Sequence, residues 1–257
     1  MKILITNDDG INALGIKRLA EELIKIAEIT IIAPDRERSA SGHSITMHNP
    51  LRIEKSELYG ENIDAWQING TPSDCIKIGI ESILKEKPDL VVSGINNGPN
   101  LGTDVLYSGT VSAAIEGAIH EVPSVAISIS GINRKINYEG AALYSCKLVK
   151  DILDNYSENN MVFNINVPSL LPEEIKGIRP TELSNRRYNN TYEKRRDPMG
   201  RYYYWLSGEL KQLENNNNSD IKAIEDSMIS ITPLHFDLTD YNLLTKMKKW
   251  KFKNTNS

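Results

Sequence analysis

The stretch Ile3-Leu4-Ile5-Thr6-Asn7-Asp8-Asp9-Gly10 lies almost at the N-terminus of the 257-residue chain. Its apolar residues predict a short buried strand, and Gly10 allows a sharp turn directly after the two carboxylates. Apolar residues then recur at helical spacing, at Leu14, Ile16, Leu19, Ala20, Leu23 and Ile24. The N-terminal residues therefore predict a strand, an acidic turn and a helix, which together form the first unit of an α/β fold.

Asp8 and Asp9 are adjacent carboxylates, and neighbouring residues of a strand point to opposite faces. Both can face one point only if the strand has ended before them. Ligands of open α/β sheets bind beyond the carboxyl ends of the strands, and two carboxylates there repel each other unless a cation or a proton lies between them. A metal site is one interpretation. Acids that cap the following helix are the other, and the turn alone leaves both open.

Strand and helix patterns alternate through the first two-thirds of the chain. The later strands are predicted at 29–33, 89–93, 124–128 and 162–167, and the helices at 71–84, 110–120 and 141–153. Thr71 is expected to cap its helix, with Pro72 at the first helical position. Residues 51–53 and 65–68 are expected to form a small hairpin. This alternation is typical of a doubly wound, mostly parallel α/β sheet.

The pattern changes after about Pro168. Residues 184–214 are rich in tyrosine and arginine and predict extended strands outside the main sheet, followed by a strand at 228–234 and a helix at 241–250. We expect one domain over 1–257, with an α/β core at about 1–170 and a C-terminal extension at about 171–257. Aromatic and arginine residues are favoured in interfaces, so the extension predicts a homodimer or a homotetramer.

The composition is that of an ordinary globular protein, with 40% hydrophobic and 25% charged residues and a formal net charge of -4. This balance argues against duplex nucleic acid as a partner. No apolar run reaches membrane-spanning length and no signal peptide is recognised, so we expect a cytoplasmic protein without a membrane partner. Cys75 and Cys146 are expected to be buried free thiols.

Three predicted strand-end loops carry small polar residues, at 7–10, 38–42 and 93–98. In a parallel sheet these loops share one edge, where they offer carboxylate, hydroxyl and amide oxygens. Such hard ligands suit Mg²⁺ or Mn²⁺ rather than Zn²⁺. For Asn96 and Asn97, ordinary turn chemistry in a glycine-rich loop is the alternative interpretation.

Tyr107-Ser108-Gly109-Thr110 precedes a predicted helix. A helix N-terminus offers free N–H groups to a phosphate, although a Thr110 N-cap would explain the same residues. The chain lacks a G-x-x-x-x-G-K-[ST] motif, and its first turn is acidic where a dinucleotide-binding turn is glycine-rich. A phosphate could approach that turn only with a cation between them, which points to metal-assisted phosphoryl chemistry.

Several motifs taken together resemble the SurE (survival protein E) nucleotidases, and the similarity covers nearly the whole chain. The matching segments are 7–10, 33–39, 69–75, 92–100, 107–111, 164–168 and 230–234. The resemblance implies a Rossmann-like fold, a C-terminal hairpin exchanged between subunits, and hydrolysis of nucleoside 5′- and 3′-monophosphates. It also implies one divalent cation per subunit, Mg²⁺ or Mn²⁺, with Asp8, Asp9, Ser39 and Asn96 as ligands. Ser108, Gly109 and Thr110 would hold the phosphate.

The expected mechanism is metal-assisted hydrolysis in which Asp8 or Asp9 also orients or deprotonates the attacking water. Two alternatives stay open at this point. One is a phosphatase that uses Asp8 as a covalent nucleophile. The other is a nucleotide-binding regulatory module without turnover.

Overall fold

A computed structural model of the chain describes residues 1–131, 136–155, 160–186, 188–189, 192–210 and 216–250. The strands of the main sheet are β1 (Lys2–Thr6), β2 (Glu28–Pro34), β3 (Ile53–Lys55), β4 (Asp64–Ile68), β5 (Leu90–Asn97), β6 (Ser124–Ser130), β7 (Val162–Pro168), β8 (Ile178–Pro180) and β13 (Ile229–Leu234). Four shorter strands lie outside it: β9 (Tyr188–Asn189), β10 (Tyr192–Arg196), β11 (Tyr202–Leu206) and β12 (Glu209–Leu210). The α-helices are α1 (Leu14–Leu23), α2 (Pro72–Ile78), α3 (Gly109–Ile119), α4 (Tyr138–Asn155), α5 (Asp220–Glu225) and α6 (Tyr241–Met247).

The main sheet has the strand order β3-β4-β2-β1-β5-β6-β7-β13-β8. The six strands from β4 to β7 run parallel, whereas β3 is antiparallel to β4 and β13 is antiparallel to β7. The predicted mostly parallel, doubly wound α/β sheet is therefore confirmed, as is the small hairpin at its edge.

The chain reverses its direction of travel across the sheet at β1. It first builds outward from β1 to β2 and β4, and then returns to place β5 on the other side of β1. The carboxyl ends of β1 and β5 consequently flank a topological switch point, which is where open α/β sheets bind ligands. The acidic turn follows β1 at this point.

Helices cover both faces of the sheet. Ile3 and Ile5 point toward the layer formed by α1 and α4, whereas Leu4 points toward the layer that contains α2 and α3. All three strand residues are buried, as expected for a parallel sheet covered on both sides. Cys75 is a buried free thiol and Cys146 a half-buried one.

Several helix and strand boundaries differ from the predicted ones. Thr71 caps α2 as expected, but the α-helix ends at Ile78 and a π-helical turn continues over Gly79–Ile83. Helix α3 begins at Gly109, one residue before the predicted start, and α6 ends at Met247 instead of Trp250. Strand β5 runs on to Asn97 because pairing with β6 resumes after a register shift between Ser93 and Asn96. The glycine and asparagine content had predicted a loop there.

The predicted extended strands at 184–214 form two small sheets separate from the main one, β10 with β11 and β9 with β12. The extension also returns to the main sheet, since β13 pairs with β7 and β8 pairs with β13. Arg187 and residues 211–215 lie outside the described residues. None of the helices within the described ranges combines the length and the apolar character that crossing a membrane requires.

Asp220 joins the extension to the core. Its buried carboxylate accepts hydrogen bonds from Gly102 N at 2.7 Å, Ser184 N at 3.0 Å and Ile221 N at 2.8 Å. Gly102 begins the 3-10 turn that leads to α3. One carboxylate therefore holds the extension, α5 and the segment before α3 together.

We expect Asp220→Ala to lower the free energy of unfolding by about 3 kcal/mol, because it leaves N–H groups in this region without an acceptor. Asp226→Ala is the matched control. Asp226 follows α5 and makes surface ion pairs with Arg179 and Lys222, which contribute little to stability. Urea denaturation measures both variants. Equal losses would show that Asp220 is not a special anchor.

Candidate functional site

The acidic turn is built by short-range hydrogen bonds directly after β1. The Asn7 side-chain amide donates to Gly10 O at 2.9 Å. Gly10 has a φ of +93°, and a Cβ there would lie 2.9 Å from the backbone of Arg36. Only glycine suits both conditions. Because β1 has already ended at Thr6, the turn places Asp8 and Asp9 at the carboxyl edge of the sheet, as predicted.

Asp8 lies against the first turn of α3. Thr110 Oγ1 donates to Asp8 Oδ1 at 2.5 Å, and Asp8 is only 4% exposed. A Cβ on Gly109 would lie 2.9 Å from Asp8 Cβ, so the close approach of Asp8 to the helix requires glycine at this position. The positive end of the helix dipole therefore faces the Asp8 carboxylate.

The helix cap differs from the expected one. Ser108, not Thr110, is the N-cap, and its hydroxyl accepts a hydrogen bond from Val111 N at 3.1 Å. The Thr110 N-cap interpretation is therefore wrong. Thr110 lies inside the first turn, where its hydroxyl is free to reach Asp8. Of the three residues predicted to hold phosphate, Ser108 shapes the helix start, whereas Gly109 and Thr110 face the acidic turn.

Asp9 and Asn96 are brought together by the end of β5. Asn97 N donates to Asp9 Oδ2 at 3.0 Å. The Asn96 side-chain nitrogen donates to Gly98 O at 2.8 Å, which leaves the side-chain oxygen as the atom available to a ligand. The structure thus gathers Asp8, Asp9 and Asn96 at the switch point.

The two carboxylates carry an uncompensated charge. Burial raises the pKa of Asp8 to about 6, against the hydrogen bond from Thr110, and the charge of Asp9 adds to the increase. Burial also raises the pKa of Asp9. Within the described part of the chain, no lysine, arginine or histidine forms an ion pair with either carboxylate. A bound cation would relieve this repulsion.

The donor set is made of oxygen atoms. Within the described ranges, no group of three or more His, Cys, Asp or Glu side chains is placed to hold a metal ion. A cation at the switch point would therefore rely on two carboxylates together with uncharged oxygens. The side-chain oxygens of Asn7 and Ser41 are buried, and no described residue hydrogen-bonds to them.

Ser39 has a partner of its own in the folded loop. Its side chain is exposed, and its hydroxyl donates to Glu37 Oε1 at 2.7 Å. Ser41 lies beside Asp8, because Ser41 Oγ and Asp8 Oδ2 are 3.0 and 3.1 Å from the point where Gly109 would carry a Cβ. The sequence motif contains both serines, and only the folded loop distinguishes them.

The loop that carries these serines is held on α3 by His43. His43 Nε2 lies 2.7 Å from Oε2 of the buried Glu116, and Gly42 N donates to Tyr107 O at 3.1 Å. Burial raises the pKa of Glu116, but the hydrogen bond and charge of His43 and the charges of His120 and Lys77 outweigh it, so the pKa is lowered. The contact between His43 and Glu116 forms a tether between loop and helix.

A second set of contacts fixes the loop after β5. Asn100 N donates to Asn166 Oδ1 at 2.8 Å, and its side-chain nitrogen donates to Ser128 Oγ at 2.7 Å. Asn100 O in turn accepts from the side chains of Asn164 and Asn166. Residues 98–100 and 164–168, which both belong to the family-like segments of the sequence, are therefore in contact although they are far apart in the chain.

Sequence patterns placed Ser41 in a strand-end loop of the site without giving it a role, and they did not single out His43 or Glu116. The one available signal was Glu116, an isolated acid in a helix of small residues. Its partner His43 lies 73 positions away, so local spacing could not connect them.

We expect His43→Ala to release the loop and to increase tryptic cleavage after Arg36 and Arg38 about tenfold, because a hydrogen bond to a charged group contributes about 1.5 kcal/mol. His120→Ala is the control. It also removes a contact to Glu116, but one that α3 makes with itself, so the loop stays attached. Mass spectrometry of a timed digest measures the cleavage. Equal cleavage in the two variants would contradict the tether.

Comparison with known proteins identifies the family of this site. Residues 3–190 match the family model described as Survival protein SurE. The 5′-nucleotidase SurE of Alkaliphilus metalliredigens (strain QYMF) is 51% identical over 250 residues, covering 96% of this chain and 98% of that protein. The 5′-nucleotidase SurE of Heliobacterium modesticaldum (strain ATCC 51547 / Ice1) is 48% identical over 250 residues, covering 97% and 92%. The crystal structure of the SurE protein from Aquifex aeolicus superposes with a TM-score of 0.85 at 40% identity, over 96% of this chain and 98% of that one. The chain therefore belongs to the SurE family.

Proposed function

We propose that this protein is a phosphomonoesterase that hydrolyses nucleoside 5′-monophosphates, and also 3′-monophosphates, to nucleoside and phosphate. The relatives named 5′-nucleotidase SurE support the 5′ activity. One observation carries the proposal. The buried Asp8 carboxylate lies beside Asp9 and faces the first turn of α3 at the switch point. A phosphate can approach such a site when a cation neutralises the charge of the two carboxylates.

A single divalent cation per subunit, Mg²⁺ or Mn²⁺, fits this donor set. Asp8, Asp9 and the Asn96 side-chain oxygen would hold it, since all are hard oxygen ligands. Ser39 would join them after its hydroxyl leaves Glu37. The bound cation would neutralise the phosphoryl oxygens and polarise the attacking water.

The protein's own groups divide the remaining work. Thr110 fixes the Asp8 carboxylate, so that Asp8 or Asp9 can orient the water and accept its proton. The N-terminus of α3, shaped by the Ser108 cap, presents the Gly109 N–H group at the positive end of the helix, while Thr110 supports the Asp8 carboxylate. The helix N-terminus would stabilise the charge that develops on the phosphoryl oxygens.

Phosphate release from AMP tests this proposal. We expect EDTA to abolish release and Mn²⁺ to restore it. In Asp9→Asn we expect the half-saturating Mn²⁺ concentration to rise about tenfold or more, because one ligand charge is lost, with partial recovery of the rate in excess Mn²⁺. Asp151→Asn, which alters an exposed residue of α4, should behave like the unmodified protein.

Each alternative has its own outcome in the same experiment. AMP binding without phosphate release would indicate a regulatory module. An acyl-phosphate trapped on Asp8 would indicate a covalent mechanism. Full activity after exhaustive chelation would contradict the role of a cation.

We further propose that the chain forms a homodimer or a homotetramer through the hairpin of β10 and β11. Every residue of both strands is exposed, and Tyr202, Tyr204 and Trp205 are each more than half exposed. An isolated two-stranded hairpin is marginally stable, and an exposed aromatic patch is typical of an interface. Contact with another subunit would stabilise the hairpin and would remove the aromatic patch from water.

We expect light scattering at micromolar concentration to give at least twice the mass of one chain. Trp205→Glu places a charge in the aromatic patch and should shift the protein toward monomer. Met199→Glu is the control, since Met199 is exposed in the turn between the two strands and outside the patch. A monomeric unmodified protein would overturn this proposal.

A further inference from the structure

A groove of about 510 Å³ lies at the carboxyl edge of the sheet, where α1 and α4 begin and β7 ends. Leu14 and Arg18 of α1 form one wall, and Ile136 and Tyr138 at the start of α4 form another. Leu170 and Leu171, which follow β7, close the third side. Its volume falls within the range of about 300–1,000 Å³ that is usual for small-molecule sites.

Asn137 makes the groove a fixed feature of the fold. Its backbone N–H donates to Ser169 Oγ at 2.9 Å, and its side-chain nitrogen donates to Leu170 O at 3.0 Å. Its side-chain oxygen accepts from Gly140 N at 3.1 Å in the first turn of α4. One residue therefore ties two of the walls together.

Tyr138 connects the groove to the catalytic carboxylates. The point where Gly15 would carry a Cβ lies 3.2 Å from Tyr138 Cε1 and 2.0 Å from Ile95 O. Ile95 directly precedes Asn96, so the tyrosine ring lies beside the strand end that carries the amide ligand. Burial raises the pKa of the Tyr138 phenol, and the nearby charge of Asp9 raises it further. Both observations place the ring within reach of a molecule bound at the acidic turn.

The exposed chemistry of the groove is apolar. Leu14 belongs to the apolar pattern that predicted α1, yet it is 51% exposed, and Leu171 is 54% exposed. A tyrosine face and leucine side chains suit a flat, largely apolar ring. These residues would lose contact with water when such a ring binds between them.

The charged side chains that line the groove already have partners in the protein, and Glu174 Oε2 accepts a hydrogen bond from Leu171 N at 2.8 Å. Arg18 forms ion pairs with Glu21 at 2.7 Å and with Glu139 at 3.4 Å. Its guanidinium is therefore not free to bind a second phosphate. The groove suits an uncharged group attached to the phosphate that is held at the acidic turn.

We propose that this groove binds the nucleoside half of a nucleoside monophosphate, with the base against Tyr138 and between Leu14 and Leu171. This inference rests on the proposed phosphomonoesterase function and adds a specificity site to it. The groove selects an aromatic base, and the acidic turn with α3 selects the phosphate.

The test compares kcat/KM for AMP with kcat/KM for glycerol 3-phosphate, a phosphomonoester that has no base. In Leu171→Asp we expect the ratio of kcat/KM for AMP to kcat/KM for glycerol 3-phosphate to fall about tenfold, because the base loses an apolar contact and meets a charged group. Tyr138→Ala should also lower this ratio. Leu171 is exposed, so its variant remains informative if the tyrosine variant fails to fold. Leu143→Asp changes an exposed leucine of α4 outside the groove and should leave the ratio unaltered.

A second measurement does not depend on turnover. Adenosine, which carries no phosphate, should bind the unmodified protein in titration calorimetry, and Leu171→Asp should weaken that binding about tenfold. Failure to hydrolyse AMP would refute the proposed function. Hydrolysis of both esters, with an unchanged ratio and unchanged adenosine binding in the folded Leu171→Asp variant, would refute the groove alone.

Discussion

Thr110 Oγ1 and Asp8 Oδ1 form the contact that joins the two halves of the site, since one belongs to α3 and the other to the turn after β1. The contact requires a helix start without a side chain at Gly109 and a cap supplied by another residue, Ser108. It places a buried carboxylate at the positive end of a helix dipole, where negative charge is stabilised. The hydrogen bond and the close packing of Gly109 on Asp8 together bring the acidic turn against the helix N-terminus.

The surrounding loops hold this geometry from several directions. Asn100 is bonded to the asparagines of β7, and Gly102 to the buried Asp220. Gly42 donates to Tyr107, immediately before the cap of α3. The contacts of Asn100 and Gly102 restrain the segment between β5 and α3, and the contact of Gly42 restrains the loop after β2. The C-terminal extension therefore contributes to the site indirectly, because it fixes the path of the chain into α3.

Burial of Asp8 next to Asp9 is unfavourable unless the charge is balanced. The Thr110 hydroxyl and the helix dipole compensate part of that cost, and the raised pKa of Asp8 shows that the compensation is incomplete. A cation would complete it. The same imbalance would draw a cation and then a phosphate to one point, while the groove beside Tyr138 is suited to the rest of the substrate.

The local pattern of the sequence determined the strand, the acidic turn and the first helix, and the alternation along the chain determined the doubly wound sheet. These features follow from side-chain periodicity and from turn residues such as Gly10, which act over a few positions. The sequence also predicted that Asp8 and Asp9 follow one strand and Asn96 another, at an edge that the two strands share. Only the tertiary structure decided that Thr110 binds Asp8, that Ser108 caps α3, that Ser39 pairs with Glu37, and that His43 reaches Glu116. The two long-range contacts join residues that are far apart in the chain, and Ser108, Thr110 and Ser39 had more than one local partner available. Packing of the helices and loops selects among such partners, and no local spacing encodes that choice.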